Sequence, residues 1–363
     1  MEKGVNLGNW LVLEKWMSPE LFAGTDAEDE TYLCLGLDDV AKRERFKVHR
    51  DTWINDRDFA WIAGHGLDFV RLPVPYFVFG GRDPFVSCIE YVDAAFRWAE
   101  RHGVRILVTL HTVPDSQNGF DNGGLTGVCK FHKNPEHVEF ALTVLEQLAE
   151  RYGNRPNLWG IEVLNEPISP ELWELIDVPK RYPAVDKEYA KGSEGVPSEF
   201  LRDYYTRAYE RIRSRAGDAR IVFHDGFRIA EWPGFFDGWH NIMLDTHLYV
   251  MMHTVSAPGS TLDDYVRHIE SEFGDVVREM SQHFPLLVGE WNIDTKSPEL
   301  AELPQDERRV YLSRIAEAHL SAFDGASAWC YWAYRLNGDT SETDMWDMSK
   351  ALELGYLPAG LAP

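Results

Sequence analysis

Basic residues are scarce in this chain. Its 363 residues hold 36 Lys and Arg against 59 Asp and Glu, a formal net charge of −23. That deficit argues against nucleic acid or an anionic membrane surface as partners, and mildly against acidic substrates. Cysteine is scarce too. Cys34, Cys88, Cys129 and Cys330 show no CxxC or other metal spacing, so reduced thiols are the default reading. No apolar run reaches the roughly 18 residues of a membrane span, and no secretory signal precedes the first strand. The sequence therefore predicts a soluble protein with a cytoplasmic address. No GxGxxG opens a helix and no GxxxxGK[ST] occurs, which disfavours a two-domain nucleotide-binding enzyme. The nucleophile elbow G-x-S-x-G is missing, which disfavours a Ser-His-Asp hydrolase. His224-Asp225 and Asp245-Thr-His247 could supply metal ligands, but neither forms HExxH or a facial-triad spacing. No metal and no organic cofactor is expected.

What is present is apolar and aromatic. Hydrophobic residues make up 44% of the chain, enough for a sizeable core, and there are 13 Trp and 15 Tyr. Aromatics at this density often line sugar sites, although most of them pack a core. Strand and helix patterns alternate eight times. The predicted strands are Gly4–Asn9, Asp68–Pro73, Val104–His111, Trp159 onward, Arg220–Asp225, Ile242–Tyr249, Pro285–Glu290 and Ala326–Trp332. Val138, Ala141, Leu142, Leu145, Leu148, Ala149 and Tyr152 mark one helix by their 3.6-residue period. Such alternation implies parallel strands with right-handed crossovers. Eight units predict an α/β fold of one domain, residues 1–363: a (β/α)8 TIM barrel with long loops after strands 1, 3 and 4.

One stretch organises the rest: Trp159-Gly-Ile-Glu-Val-Leu-Asn165-Glu166-Pro167. It starts as a buried strand, and the proline ends the ladder. Asn165 and Glu166 would then stand at the strand's C-terminal end, the active-site face of a barrel. A second carboxylate, Glu290, ends the Leu286-Leu-Val-Gly-Glu290 run. Two carboxylates on separate strand ends are what cleavage of a glycosidic bond needs. Other strand ends add Asn6, Asn9, Arg71, His111, Asp225, His247, Tyr249 and Trp332. Each has a bland reading on its own: Arg71 as a barrel-end ion pair, His111 or His247 as a structural histidine, Tyr249 or Trp332 as core. Chance would have to place all of them on one rim.

These residues resemble glycoside hydrolase family 5, over almost the whole chain. Gly4-Val-Asn-Leu-Gly-Asn-Trp-Leu-Val-Leu-Glu14 and Ser116-Gln-Asn-Gly-Phe-Asp-Asn122 are similar to its exo-β-1,3-glucanase and β-glucosidase branch. The Thr112-Val-Pro-Asp115 and Trp291-Asn-Ile-Asp294 segments depart from that branch. The resemblance implies a retaining barrel enzyme with Glu166 as acid/base and Glu290 as nucleophile. It implies substrate contacts from Glu14, Arg71, His111, Asn165, His247, Tyr249 and Trp332. Arg71 and Tyr249 would orient Glu290, Asn165 would bind the sugar 2-hydroxyl, and Trp332 would form a platform under the ring. An acid catalyst needs a raised pKa, and the expected source is the neighbouring charge of Glu290. Glu14 would grip the terminal sugar; its bland reading is a solvated loop carboxylate. The expected partner is a small carbohydrate, with β-glucosidase or exo-β-1,3-glucanase action. A β-mannosidase or a transglycosylase with the same glutamates stays open.

Overall fold

The computed structural model describes residues 1–337 and 343–358. The remainder of the 1–363 span lies outside the described residues. Eight parallel strands close into a barrel in chain order: β1 Glu2–Asn6, β2 Phe69–Val74, β3 Arg105–Leu110, β4 Leu158–Glu162, β5 Ile221–His224, β6 Ile242–His247, β7 Leu286–Trp291 and β8 Ala328–Tyr331. All eight predicted strands exist, most with bounds shifted by a few residues. The first closes on the last, with Gly4 beside Cys330 and beside Phe69.

Side chains alternate along each strand, so every second residue points into the barrel. The lower interior layer is apolar: Phe69, Leu107, Val222, Met243, Leu287 and Ala328 pack together there. Two residues further along their strands stand Arg71, Thr109, His224, Asp245 and Gly289, and Glu162 joins them from the end of β4. This upper layer is polar and buried. Gly289 is required by it, since a Cβ there would sit 2.1 Å from Asp245 Oδ2. The Gly289 N–H instead donates to Asp245 Oδ1 at 2.7 Å. Outward-facing residues of the strands, such as Val70, Leu72, Ile106 and Val108, meet the surrounding helices in the main core.

Two departures from the sequence reading matter. The long loop expected after the first strand contains helices Glu30–Gly36 and Asp39–Trp53, ahead of the helix Asp56–Gly64 that leads to β2. The unit after β5 has only a short 3-10 turn, Ile229–Glu231, in place of a helix. Among the described residues no helix is long and apolar enough to cross a membrane. The four cysteines are free and buried.

The first of those helices buries a carboxylate. Glu30 Oε2 accepts from the Leu13 N–H at 3.1 Å, while Oε1 has no hydrogen-bond partner among the described residues. Burial pushes this carboxyl up to about 7, against the pull of Arg50. The folded state thus holds a proton that the unfolded chain releases near 4.5. Glu30 therefore favours folding below that value, and the contribution is lost as pH rises through 7. A shift of this size is worth about 3 kcal/mol. Glu30→Gln is expected to raise the melting temperature at pH 8 and to change it little at pH 5, read by circular dichroism.

Candidate active site

The strand ends hold a network centred on Arg71, which is fully buried. Its Nε and Nη2 donate to Glu162 at 2.7 and 3.0 Å, a bidentate pair. Nη1 donates to Glu290 Oε1 at 2.7 Å and to Asn6 Oδ1 at 3.0 Å. Nη2 also reaches Asn165 Oδ1 at 2.7 Å. One planar guanidinium therefore fixes residues from β1, β2, β4 and β7 in one geometry. The Tyr249 hydroxyl donates to the other oxygen of Glu290 at 2.8 Å. Both expected supports of Glu290 are in place.

Glu166 stands four residues beyond the end of β4, not in the ladder itself. Its backbone lies in the left-handed region, φ 44°, an uncommon conformation for a residue with a side chain. Its carboxylate accepts from Asn122 Nδ2 at 2.8 Å and lies 2.7 Å from His247 Nδ1. The same Nδ1 is 3.5 Å from Glu290 Oε2. The two distances bound the gap between those facing glutamate oxygens at their sum, 6.2 Å.

His247 Nε2 faces Asp245 Oδ2 at 3.4 Å. Burial alone would make this imidazole neutral. The charges of Glu290 and Asp245, with the hydrogen bonds to Asp245 and Glu166, outweigh it and hold His247 well above its ordinary value. The imidazolium in turn sets the glutamates. Burial pushes Glu166 up, but the hydrogen bond and charge of His247, then Asn122 and Arg71, hold it below the usual carboxylate range. Burial pushes Glu290 up, and His247 and Arg71 only partly offset this. The expectation that Glu290 raises Glu166 is thus corrected: a cation lies between them. The same burial leaves Glu290 raised although Arg71 and Tyr249 contact it.

The network opens on a cavity of about 740 Å³, lined on its polar side by Glu14, Asp121, Asn122, Glu166, His247 and Glu290. Tyr249 and Trp332 also line it, and so do apolar side chains of the loops after β4 to β6, such as Leu172, Phe227 and Met251. Arg71, His111 and Asn165 do not line it. Asn165 already gives its oxygen to Arg71, and its Nδ2 lies 3.4 Å from His111 Nε2. The His111 ring stacks on Trp332, centroids 5.8 Å apart and planes 12° apart. Burial and the Arg71 charge hold His111 well below its ordinary value, so it is neutral. Arg71, His111 and Asn165 are fully buried and brace groups that line the cavity, Arg71 through Glu290 and His111 through Trp332.

Glu14 departs most from the sequence reading. It is buried, only 4% exposed, not solvated. Trp16 Nε1 donates to Oε2 at 2.8 Å, and Oε1 has no hydrogen-bond partner among the described residues. Burial and the nearby charge of Asp121 push its carboxyl well above the ordinary value. The Asn9 side chain fixes this turn by accepting from the Glu14 N–H at 2.8 Å.

Residues without a role in the sequence reading are Glu162, Asp121, Asn122 and Gln117, whose Nε2 ties His111 and Asn165 together through their carbonyls. A charged residue inside an apolar strand was the available signal for Glu162. Two clusters, Glu166 with His224 and His247, and Glu162 with Asp245 and His247, bring possible metal-ligand atoms within 4.8 Å of one another. The second already surrounds the Arg71 guanidinium, with Asp245 at 3.9 Å. In the first, His224 Nδ1 accepts from the Gly226 N–H and His247 Nδ1 faces Glu166.

The profile of Cellulase (glycosyl hydrolase family 5) matches residues 39–335. The chain is similar to a probable glucan 1,3-beta-glucosidase A of Emericella nidulans, 32% identical over 99% of this chain and 90% of that one. It is 29% identical to glucan 1,3-beta-glucosidase 2 of Wickerhamomyces anomalus, over 99% and 88%. Among solved structures, a rutinosidase from Aspergillus niger superposes with a TM-score of 0.78 at 22% identity, covering 98% of this chain and 97% of that one. The endoglucanase Cel5A of Thermotoga maritima gives 0.59 at 18% identity, over 97% and 96%. Both structural likenesses concern the fold.

Proposed function

This chain belongs to glycosyl hydrolase family 5 and is a glycoside hydrolase; from that premise we propose that it removes terminal β-D-glucosyl residues from short oligosaccharides or glycosides, with retention of configuration. The observation that carries the reading is the His247 bridge, which keeps Glu166 Oε1 within 6.2 Å of Glu290 Oε2. Retaining enzymes hold their carboxyl groups about 5–5.5 Å apart, and inverting ones about 6.5–9.5 Å apart to admit a water.

In this reading Glu290 attacks the anomeric carbon and the aglycone oxygen leaves with a proton from Glu166. The proton comes from His247: transfer from Nδ1 to Glu166 along the 2.7 Å contact turns an ion pair into a neutral pair without changing the net charge. Once Glu290 is esterified its charge is gone. Glu166, ionised again, then takes a proton from water as the water oxygen bonds to the anomeric carbon and the ester bond to Glu290 breaks, which releases the sugar and frees the Glu290 carboxylate. Trp332 supplies an apolar platform. Glu14 and Asp121 bind hydroxyls far from the scissile bond.

The buried Glu14 carboxyl, which lines the polar side of the cavity with one oxygen unpartnered among the described residues, supports exo action. Wild type is expected to release monosaccharide from the non-reducing end of a β-1,3-linked oligosaccharide, with no internal fragments at early times. Glu14→Ala removes a charge-assisted contact of about 1.5–3 kcal/mol. It should lower kcat/KM by roughly 10- to 150-fold. Because Glu14 is buried with an unpartnered oxygen, the substitution should leave the melting temperature unchanged or raise it, increasingly so as pH rises. Mid-chain products, or wild-type kinetics in Glu14→Ala, would defeat the exo reading. Parallel assays on aryl β-glucosides and β-mannosides decide the sugar. The cytoplasmic address remains part of the proposal, and cell fractionation tests it.

A further inference from the structure

A second cavity, of about 300 Å³, opens beside the first. The loops after β1, β2 and β3 form it, and the two cavities share a wall. Asp121 and Asn122 line the catalytic side of that wall, while Gly123, Gly124 and Leu125 line the other. Thr31, on the second cavity, pins the wall by donating to the Gly124 carbonyl from its N–H at 3.2 Å and its Oγ1 at 2.5 Å. Nothing in the catalytic scheme uses this space.

Its lining is chemically specific. Glu30 Oε1 and Thr112 Oγ1 are buried there without a hydrogen-bond partner among the described residues. Arg82 lies with its guanidinium 3.8 Å from the Phe140 ring centroid, and no carboxylate pairs with it among the described residues. Tyr76 and Phe85 give aromatic walls, their rings 5.5 Å apart and nearly perpendicular. A ligand for these groups offers hydroxyls to a carboxylate, a threonine and a guanidinium, and an apolar face to aromatic rings. The volume sits at the small end of ligand pockets. We infer that this cavity binds one neutral hexose unit, and that its occupancy acts on Glu166 through the 121–124 wall, since Asn122 on that wall donates to Glu166 at 2.8 Å. That the hexose is glucose rests on the function proposed above.

The test is product inhibition by D-glucose on an aryl β-glucoside. One site gives purely competitive inhibition. Two sites give mixed inhibition, with an intercept effect on kcat. Thr112→Val and Arg82→Gln each remove one of the polar groups of the second cavity and touch no group of the catalytic one. Each should weaken the intercept constant at least 10-fold and leave the competitive constant and the uninhibited kcat/KM unchanged. Purely competitive inhibition of wild type overturns the proposal, and so does mixed inhibition that survives both variants. Inhibition by inorganic phosphate but not glucose would make Arg82 an anion site instead, and also overturns it. If no β-glucoside is turned over, the proposed function fails by itself. Crystals soaked in D-glucose then decide the cavity separately: a hexose against Thr112 and Glu30 supports it, and a hexose confined to the catalytic pocket contradicts it.

Discussion

Glu290→Gln is expected to abolish turnover on every substrate, with kcat reduced by roughly 10⁴-fold or more, while the protein stays folded. The amide keeps an oxygen for the Arg71 contact but cannot form the glycosyl ester. Glu166→Ala should behave differently. Aryl glycosides with very good leaving groups need little protonation, so their first step should survive. Added azide should then restore turnover and yield the β-glycosyl azide, because a small anion attacks the glycosyl-enzyme without a base. The contrast between the two variants, measured on one activated and one unactivated glycoside, assigns the roles. An α-azide product would exchange or abolish them. So would a folded Glu166→Ala enzyme inert on activated substrates.

Arg71→Met should cost the most stability. Arg71 is buried with Glu162 in a bidentate pair and with Glu290 in a single contact. Removing one partner of a buried ion pair leaves uncompensated charge, at a cost of about 3–5 kcal/mol. Urea unfolding should report this as a lowered midpoint with an unchanged slope. Arg71→Lys should recover only part of it, because a compact ammonium cannot serve Glu162, Glu290, Asn6 and Asn165 together. Adding Glu162→Gln to Arg71→Met should restore some stability without restoring activity, the non-additivity expected of one network. An Arg71→Met protein as stable as wild type would mean the network carries no structural weight.

The barrel was legible because its strands are short apolar runs separated by helical periodicity. The rim was legible because Glu166, His247, Tyr249, Glu290 and Trp332 end those runs. The helix Asp39–Trp53 hides from periodicity: its buried residues are Lys42, Phe46, His49, Arg50 and Trp53, and only Phe46 and Trp53 of these are hydrophobic. Its packing comes from long charged side chains whose ends reach buried acceptors, as Arg50 does on the carbonyls of Val86 and Ser87. Glu162 and Asp245 face inward in a second layer, which alternation permits but does not announce. Glu14 sits near the chain's start, and only the fold shows that its loop is covered. The direction of the Glu166 shift needed one fact that spacing cannot supply, the place of His247 between the two glutamates.

That arrangement makes stereochemistry the most direct test of the account. Proton NMR should follow the anomeric signals of the released sugar within the first minutes after mixing wild type with an aryl β-glucoside. The two-carboxylate geometry predicts that the β-anomer appears first and that the α-anomer grows in only as mutarotation proceeds. An α-anomer as the first product would require a water between Glu166 and Glu290, and would contradict the reading of a 6.2 Å bound as a retaining pair.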